Sequence, residues 1–253
     1  QTAATQQDIV TTGTDSALVL QAAGTLTVNA GTAATSGLNA TGNVLLKTSS
    51  GDIALNAALA SGGDVSLSAA AALTQAAAGD IALSTSGKTL EVIAGTSITM
   101  NDGALSQTTN ANVRYQAGTN LTVGQITAGT ASVALIATTG SVIDADTDAG
   151  NEVTAANLLI TAGTAIGSST NAIETDVTTL STLSSNGGTF ITEASGVTVD
   201  ALKRMRDGVT ERRRDALPDP QLIARLAAAF DVRLDLPSLN RALPAASSAK
   251  ERA

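Results

Sequence analysis

An acidic run past the middle of the chain is the densest group of residues that could do chemistry. Asp144, Asp146 and Asp148 alternate with small residues, and Gly150 and Glu152 follow them. Carboxylates at alternate positions before a glycine are typical of part of a calcium-binding loop, because Ca²⁺ prefers oxygen ligands. We therefore take the three aspartates together with Glu152 as a candidate calcium site.

The match to a calcium loop is incomplete. An EF-hand loop has glycine at its sixth position and glutamate at its twelfth. Counting from Asp144, these positions hold Ala149 and Ala155. A solvated acidic loop at a corner of the fold would explain the same residues without any ligand. We prefer this second interpretation, and calcium is the one cofactor that the sequence leaves open.

The available residue types restrict catalysis. The chain has no histidine and no cysteine, and its first 200 residues contain three basic side chains, Lys47, Lys88 and Arg114. Acid–base chemistry in this part would therefore depend on carboxylates. We predict no catalytic residue and a protein that is not an enzyme.

Charge divides the chain near Asp200. Residues 1–200 carry fifteen acidic and three basic residues, a net charge of −12, whereas residues 201–253 carry +4. The boundary predicts one long domain, 1–200, followed by a basic C-terminal region, 201–253. In that region Asp219 and Pro220 precede apolar residues at helical spacing, so it is predicted to be mainly helical and to cap the last coil of the domain.

The basic region could contact an anionic partner through its clustered arginines at 204, 206 and 212–214. Acidic residues at 207, 211, 215 and 219 dilute the cluster, and no aromatic residue lies between the arginines to stack on bases. We therefore predict no nucleic-acid partner. The +4 region docking onto the −12 domain of a neighbouring copy remains open as a route to filaments.

Composition indicates a thin core. Apolar residues make up 43% of the chain but aromatic residues only 1%. A compact globule of this size is normally filled with several aromatic side chains that each bury about 150–250 Å². No stretch approaches the roughly 18 apolar residues needed to cross a bilayer, so no membrane span is predicted. The N-terminal residues also lack the basic and apolar segments of a signal peptide.

One short motif recurs before residue 200: glycine, a small polar residue or two, then two apolar residues separated by one. Its alternation of apolar and small residues predicts β-strands with one buried face. The Gly-Asp pairs within it indicate turns that lead into strands rather than ligands. The motif occurs at Gly24–Val28, Gly51–Leu55, Gly63–Leu67, Gly79–Leu83, Gly118–Val123 and Gly196–Val199.

Strand spacing selects a solenoid. Many successive strands start 8 or 9 residues apart and others 12 to 16 apart, while hairpin dipeptides are almost missing. A strand, a glycine corner, a second strand and a longer corner would make a coil of roughly 20–24 residues. We predict an all-β, right-handed parallel β-helix of about eight or nine coils. Its corner glycines are expected to adopt positive φ, and its narrow interior to exclude large aromatic residues.

Four segments carry a resemblance to a known family: Gly140–Asp144, Val153–Gly167, Asn171–Thr175 and Gly187–Glu193. Together they resemble repeats of giant filamentous-haemagglutinin-like bacterial exoproteins. The resemblance extends more generically over residues 17–199 and does not cover residues 201–253. It implies a secreted or surface-attached β-helix that serves adhesion, aggregation or biofilm contact, and an internal or C-terminal piece of a larger exoprotein. The family has no shared catalytic residues to transfer.

Three functions follow as expectations. The first is a structural and adhesive stalk outside the bacterial cell, with surface glycans, surface proteins or its own copies as partners. The second is a filament subunit that stacks head to tail through the ends of the β-helix. The third is a polysaccharide-processing β-helix enzyme.

Overall fold

In the computed structural model, residues 9–30 and 37–200 are described and form twenty-two β-strands. The predicted helical region 201–253 lies outside the described residues. Within the described ranges no helix is long and apolar enough to cross a membrane. The strands are β1 Ile9–Val10, β2 Leu18–Ala22, β3 Leu26–Val28, β4 Leu38–Ala40, β5 Val44–Thr48, β6 Ile53–Leu55, β7 Leu59–Ser61, β8 Val65–Ala69, β9 Leu73–Gln75, β10 Ile81–Leu83, β11 Thr89–Ala94, β12 Ile98–Met100, β13 Leu105–Thr108, β14 Asn112–Ala117, β15 Leu121–Val123, β16 Gln125–Thr127, β17 Ser132–Ala137, β18 Val142–Asp144, β19 Val153–Ala162, β20 Ile173–Ser184, β21 Ile191–Glu193 and β22 Thr198–Val199.

The strands wind into a parallel β-solenoid of about eight turns, as the sequence predicts. Among the described strands, those of the inner coils pair in parallel with the strand one turn before and the strand one turn after, whereas strands at the two ends pair on one side. Paired residues lie from 18 positions apart, as for Ile173 and Ile191, to 29 apart, as for Ile9 and Leu38. The predicted coil length of 20–24 residues therefore falls inside the observed range.

Each full turn contains three strands, which give the solenoid three faces. Face 1 begins with β1, β4 and β7, face 2 with β2, β5 and β8, and face 3 comprises β3, β6, β9, β12, β15 and β18. The long strand β19 bends from face 1 to face 2, because it pairs with β16 at one end and β17 at the other. We number the turns as coils, so that β16–β18 form the sixth coil, β19 the seventh and β20 the eighth.

The third strand of each turn differs from the sequence prediction, which placed two strands and a longer corner in a coil. The short strands of face 1, such as β7 and β13, occupy that corner. Apart from β10, which follows Gly79 and Asp80, they lack the glycine-led motif, and their inward positions include polar residues such as Ser61 and Ser106. Alternation of apolar residues is therefore too weak there to signal a strand.

Aliphatic side chains fill the interior in columns that run along the solenoid axis. The central inward column of face 3 contains Ile53, Leu73, Ile98, Leu121, Val142 and Ile166, all fully buried. Each residue is covered by its equivalents in the coils before and after it. The hydrophobic effect therefore acts between neighbouring coils, while the backbone hydrogen bonds run in the same direction.

One aromatic residue occupies the interior, contrary to the expectation that none would fit. Tyr115 is fully buried in the inward column of face 2, between Val92 and Leu135. The nearby inward position of face 1 holds a small residue, Ser106, where the previous coil has Ile81. The ring fits because its neighbour on the next face is small, and the two hydroxyl groups lie 2.6 Å apart.

Corner glycines are required for close approach rather than for positive φ. Among the glycines of the described residues, only Gly87, Gly103, Gly129 and Gly167 have positive φ. A Cβ added at Gly79 would lie 2.2 Å from the carbonyl oxygen of Leu55 in the preceding coil. The stacked corners there leave no room for a methyl group, so the prediction of positive φ is confirmed at four described glycines and is wrong for Gly79 and the others.

Polar corner side chains link one coil to the next. The Asp52, Asp64 and Asp80 carboxylates each accept a backbone amide from the following coil, at 2.9–3.0 Å. Each of these aspartates directly precedes a strand, so the Gly-Asp pairs lead into strands as predicted. Asn120 makes the same link by accepting the Ser141 amide at 2.9 Å.

Candidate functional site

The candidate site is built around Asp144, which points into the solenoid. Asp144 ends β18 and continues an inward column of face 3 in which Val123 and Leu55 occupy earlier coils. Its side chain is only 5% exposed. The chain thus places a carboxylate where the preceding turn has an aliphatic core residue.

The loop after β18 folds back and brings further carboxylates to Asp144. One carboxylate oxygen from each of Asp144, Asp146 and Glu152 lies within 4.8 Å of the other two. The loop is held by successive side-chain turns: Asp144 Oδ1 accepts the Asp146 amide at 3.1 Å, and Asp146 Oδ1 accepts the Asp148 amide at 2.9 Å. We call Asp144, Asp146, Glu152 and Glu174, introduced below, the acidic corner.

Asp148 is outside this cluster. It is exposed, and its carboxylate accepts the Gly150 amide. Three of the four carboxylates in the predicted calcium site therefore come together and the fourth does not. The preferred interpretation of a solvated loop holds for Asp148 but is wrong for Asp144 and for Glu152, which is 2% exposed. Both are covered because the next coil stacks directly on them.

Glu174 joins the cluster from the next coil. Val153 pairs with Thr175, so the residues before them, Glu152 and Glu174, lie side by side on the seventh and eighth coils. The Glu174 amide donates to Glu152 Oε2 at 2.7 Å. Like charges directly opposite each other on paired strands destabilise a sheet. This arrangement therefore needs a neutralising partner.

Two oxygen atoms in the acidic corner are buried and have no hydrogen-bond partner among the described residues. They are Asp144 Oδ2 and Glu174 Oε2. Buried polar atoms are nearly always satisfied in folded proteins, and each exception calls for an explanation such as an ion. The Asn171 side chain donates to the Asp146 carbonyl at 2.7 Å, and it also lies close enough to Asp144 to oppose the rise in the pKa of that carboxyl.

Burial also changes the protonation of the acidic corner. It raises the pKa of Asp144 above the usual range, and the negative charges of Asp146 and Glu174 add to this effect. Burial raises the pKa of Glu152 to about 8, against the opposing hydrogen bond from the Glu174 amide. A carboxyl-to-carboxyl hydrogen bond with Glu174 and the charge of Asp144 raise it further.

No basic side chain compensates these charges within residues 9–30 and 37–200. That part of the chain contains Lys47, Lys88 and Arg114 as its basic residues, and its one ion pair joins Arg114 to Glu91 at 2.8 Å on face 2. Among the described residues no cationic side chain is available, which leaves a bound cation or a shared proton as the means of neutralising the acidic corner there.

A buried polar group elsewhere in the solenoid shows how the chain satisfies such atoms. Gln75 occupies the same inward column as Asp144, three coils earlier, and is fully buried. Its Nε2 donates to the Leu105 carbonyl at 3.1 Å, and its Oε1 accepts the Tyr115 hydroxyl at 3.1 Å. The unsatisfied oxygens of the acidic corner are thus a local feature and not a general property of the core.

Direct catalysis on a polysaccharide fits this geometry poorly. A general acid must come within hydrogen-bond reach of its substrate, whereas Asp144 and Glu152 are buried. Two open grooves lie elsewhere, on the outer side of face 2 beside Glu91 and Arg114 and on the outer side of face 1 beside Asn39 and Gln107. The clustered carboxylates line neither groove.

Sequence reasoning missed Glu174. It lies in the segment Asn171–Thr175, which carried part of the family resemblance and no functional expectation. The available signal was the coil period, because Glu174 follows Glu152 by 22 residues, a spacing within the observed coil length.

Comparisons with protein-family models, with curated proteins and with solved structures find no match to this chain.

Proposed function

We propose that this chain is a non-enzymatic, structural and adhesive stalk outside the bacterial cell, of the filamentous-haemagglutinin-like type. The observation that carries the proposal is the unbroken parallel pairing from β1 to β22, with a filled aliphatic interior. We expect the winding to be right-handed, because connections between parallel strands of one sheet are right-handed in about 98% of cases.

A rod of this kind is suited to hold a contact surface away from its anchor. Eight coils at about 4.8 Å per coil give a length on the order of 40 Å. The backbone hydrogen bonds lie along the rod, so stretching it requires breaking a whole set of bonds between two coils. A stalk needs this axial stiffness, whereas an enzyme needs a reactive group that is accessible.

The outer surfaces supply repeated, weakly polar contacts. On face 3 the outward position carries Thr27, Thr74, Thr99 and Thr122 in register on successive or near-successive coils. Individual hydroxyl contacts with a glycan or protein are weak. Repetition along a rigid rod strengthens the total binding, because after one contact has formed the remaining hydroxyl groups are held at a high effective concentration near the same surface.

Bead attachment tests the adhesive role. Polystyrene beads coated with the folded chain should be retained under flow on bacterial lawns or epithelial monolayers, whereas beads coated with the heat-unfolded chain should wash off. Equal retention of the two bead types would contradict adhesion.

Release of reducing ends or unsaturated uronates from pectate, alginate or chondroitin above a no-protein blank would favour the polysaccharide-processing alternative instead.

The filament alternative is favoured by one observation at the first coil. Within the described residues β1, β2 and β3 pair only with the following coil, and Val10 and Val19 are about half exposed. Unpaired strand edges invite another chain. Fibres in negative-stain electron micrographs, with an elution volume that changes across a salt series, would support this alternative. A monomer at both low and high ionic strength would count against it.

A further inference from the structure

Two separate observations coincide in the acidic corner. The first is the clustering of Asp144, Asp146 and Glu152 oxygens within 4.8 Å of one another. The second is Asp144 Oδ2, an atom of a side chain that is 5% exposed, which lies in the interior with no hydrogen-bond partner. Clustering alone is common on acidic surfaces. A buried carboxylate oxygen without a hydrogen-bond donor is uncommon. Such an atom points to a ligand that supplies positive charge.

The spacing of the oxygens discriminates between cations. Ca²⁺ takes oxygen ligands at about 2.3–2.6 Å, so two ligands on opposite sides of one ion lie up to about 5 Å apart. Mg²⁺ requires about 2.0–2.1 Å, which limits that separation to about 4 Å. The oxygens of the cluster lie within 4.8 Å of one another, inside the separation that the larger ion spans.

The ligand groups belong to three successive coils. Asp144 ends the sixth coil, Glu152 directly precedes the strand of the seventh, and Glu174 is in the strand of the eighth. Glu174 also contributes the second buried oxygen without a partner. A divalent ion at this position would convert repulsion between stacked carboxylates into attraction between coils.

We propose that the acidic corner binds one Ca²⁺ through Asp144, Asp146 and Glu152, with Glu174 as the ligand from the next coil. Asp148 is not a ligand, and water completes the six to eight oxygens that Ca²⁺ takes. The ion fastens the loop between β18 and β19 to the solenoid and joins the sixth, seventh and eighth coils. This site is independent of the adhesive role.

The test is a titration of the complete 253-residue chain after removal of divalent ions with EDTA and dialysis. CaCl₂ up to about 1 mM, the range of extracellular calcium modules, should raise the thermal midpoint. Isothermal titration should give one site per chain. MgCl₂ at the same concentration, and NaCl at the same ionic strength, should give less than a tenth of the rise. An equal rise with all three salts would mean charge screening and would overturn the proposal.

Variants assign the site. Glu152→Gln keeps an acceptor for the Glu174 amide and should weaken calcium binding by more than about tenfold. Loss of a residue that only supports a metal ligand already costs about tenfold in affinity, and loss of a ligand should cost more. Its midpoint without calcium should equal or exceed that of the wild type, because the amide of glutamine requires neither a proton nor a cation to be neutral. Asp146→Asn should weaken binding similarly, and it is the second variant if Glu152→Gln does not fold.

Asp102→Asn is the matched control, because Asp102 is an exposed aspartate in a turn two coils earlier. It should leave the calcium response unchanged. Loss of the response in Asp102→Asn, or its retention in both corner variants, would overturn the assignment. The assignment would also be overturned if the thermal midpoint of the wild-type chain did not respond to calcium. That result would mean that a proton neutralises the acidic corner.

Discussion

Gln75, Ser106 and Tyr115 are polar residues in the middle of an aliphatic interior, and all three are fully buried. Their side chains satisfy one another, with the Ser106 and Tyr115 hydroxyls 2.6 Å apart and Gln75 bonded to both. Burial raises the pKa of Tyr115 strongly, so its hydroxyl stays protonated and can donate. A closed network of this kind joins the third coil, which contains Gln75, to the fifth, which contains Ser106 and Tyr115.

Removal of one polar group from this network should lower the free energy of unfolding more than removal of all three. Tyr115→Phe deletes one donor and leaves Gln75 Oε1 with a poorer partner, so we expect a loss of about 1–3 kcal/mol in the free energy of unfolding. The triple variant Gln75→Met, Ser106→Ala, Tyr115→Phe leaves no unsatisfied atom and should recover at least half of this loss. Urea unfolding of the three proteins measures both values. A triple variant less stable than Tyr115→Phe would show that the network itself stabilises the fold.

The carboxyl groups of the acidic corner predict a pH dependence in the calcium-free chain. Because burial raises the pKa of Glu152 from about 4.5 to about 8, the folded state holds this proton more tightly than the unfolded state does. Its stabilising contribution is complete below about pH 4.5 and is lost as pH rises through about 8. The pKa of Asp144 changes in the same direction.

In EDTA, the thermal midpoint should therefore fall between pH 5 and pH 9. Glu152→Gln, which cannot titrate, should show a smaller fall over the same interval. Asp144, Asp146 and Glu174 face Glu152 and remain in that variant, so part of the dependence should persist. Equal slopes for the wild type and the variant would show that the dependence arises elsewhere in the chain.

Strands stack so closely at the corners that glycine is required by space. Gly79→Ala would place a methyl carbon 2.2 Å from a backbone oxygen, which cannot move without displacing its strand. We expect a loss of about 1–3 kcal/mol, the usual cost of overpacking. Gly24→Ala is the matched control, because a Cβ there meets no heavy atom within 4 Å. The control should change the stability by less than about 0.5 kcal/mol in the same urea experiment.

The strands of faces 2 and 3 could be predicted from sequence because their inward residues follow the glycine-led motif. Residues 44, 65, 90 and 113 lie in one inward column of face 2, in the register that the spacing implies. In face 1 only β10, which follows Gly79, could be predicted in this way among the described strands. The three-residue strands of face 1 contain inward polar residues whose satisfaction depends on neighbouring coils, and local periodicity contains no information about those neighbours.

The acidic corner was partly predictable for a related reason. Asp144, Asp146 and Glu152 lie close in sequence, and the alternation of the first two already indicates oxygen ligands. Glu174 comes to the site only through the pairing of β19 with β20. The burial of Asp144 could not be predicted either, because it depends on which side of face 3 the last residue of β18 occupies.

Along the whole molecule, each coil contacts mainly the coils before and after it, so stability is approximately a sum over neighbouring pairs. The central coils pair on both sides and bury every inward residue of face 2, as at Leu67, Val92 and Leu135. The first coil is different, since Leu20 and Leu26 are only partly buried. Opening should therefore begin at the first coil and reach the centre last.

Hydrogen exchange can measure this order. Amides of β8, β11 and β14 should exchange most slowly in the calcium-free chain, and those of β1, β2 and β3 should exchange at least about tenfold faster, which corresponds to a difference of 1.4 kcal/mol in opening free energy. Calcium should then slow exchange in β18 and in the first halves of β19 and β20 without changing β8. Uniform exchange across all coils would mean that the solenoid opens as one cooperative unit, because the coupling between coils would then exceed the stability of any single turn.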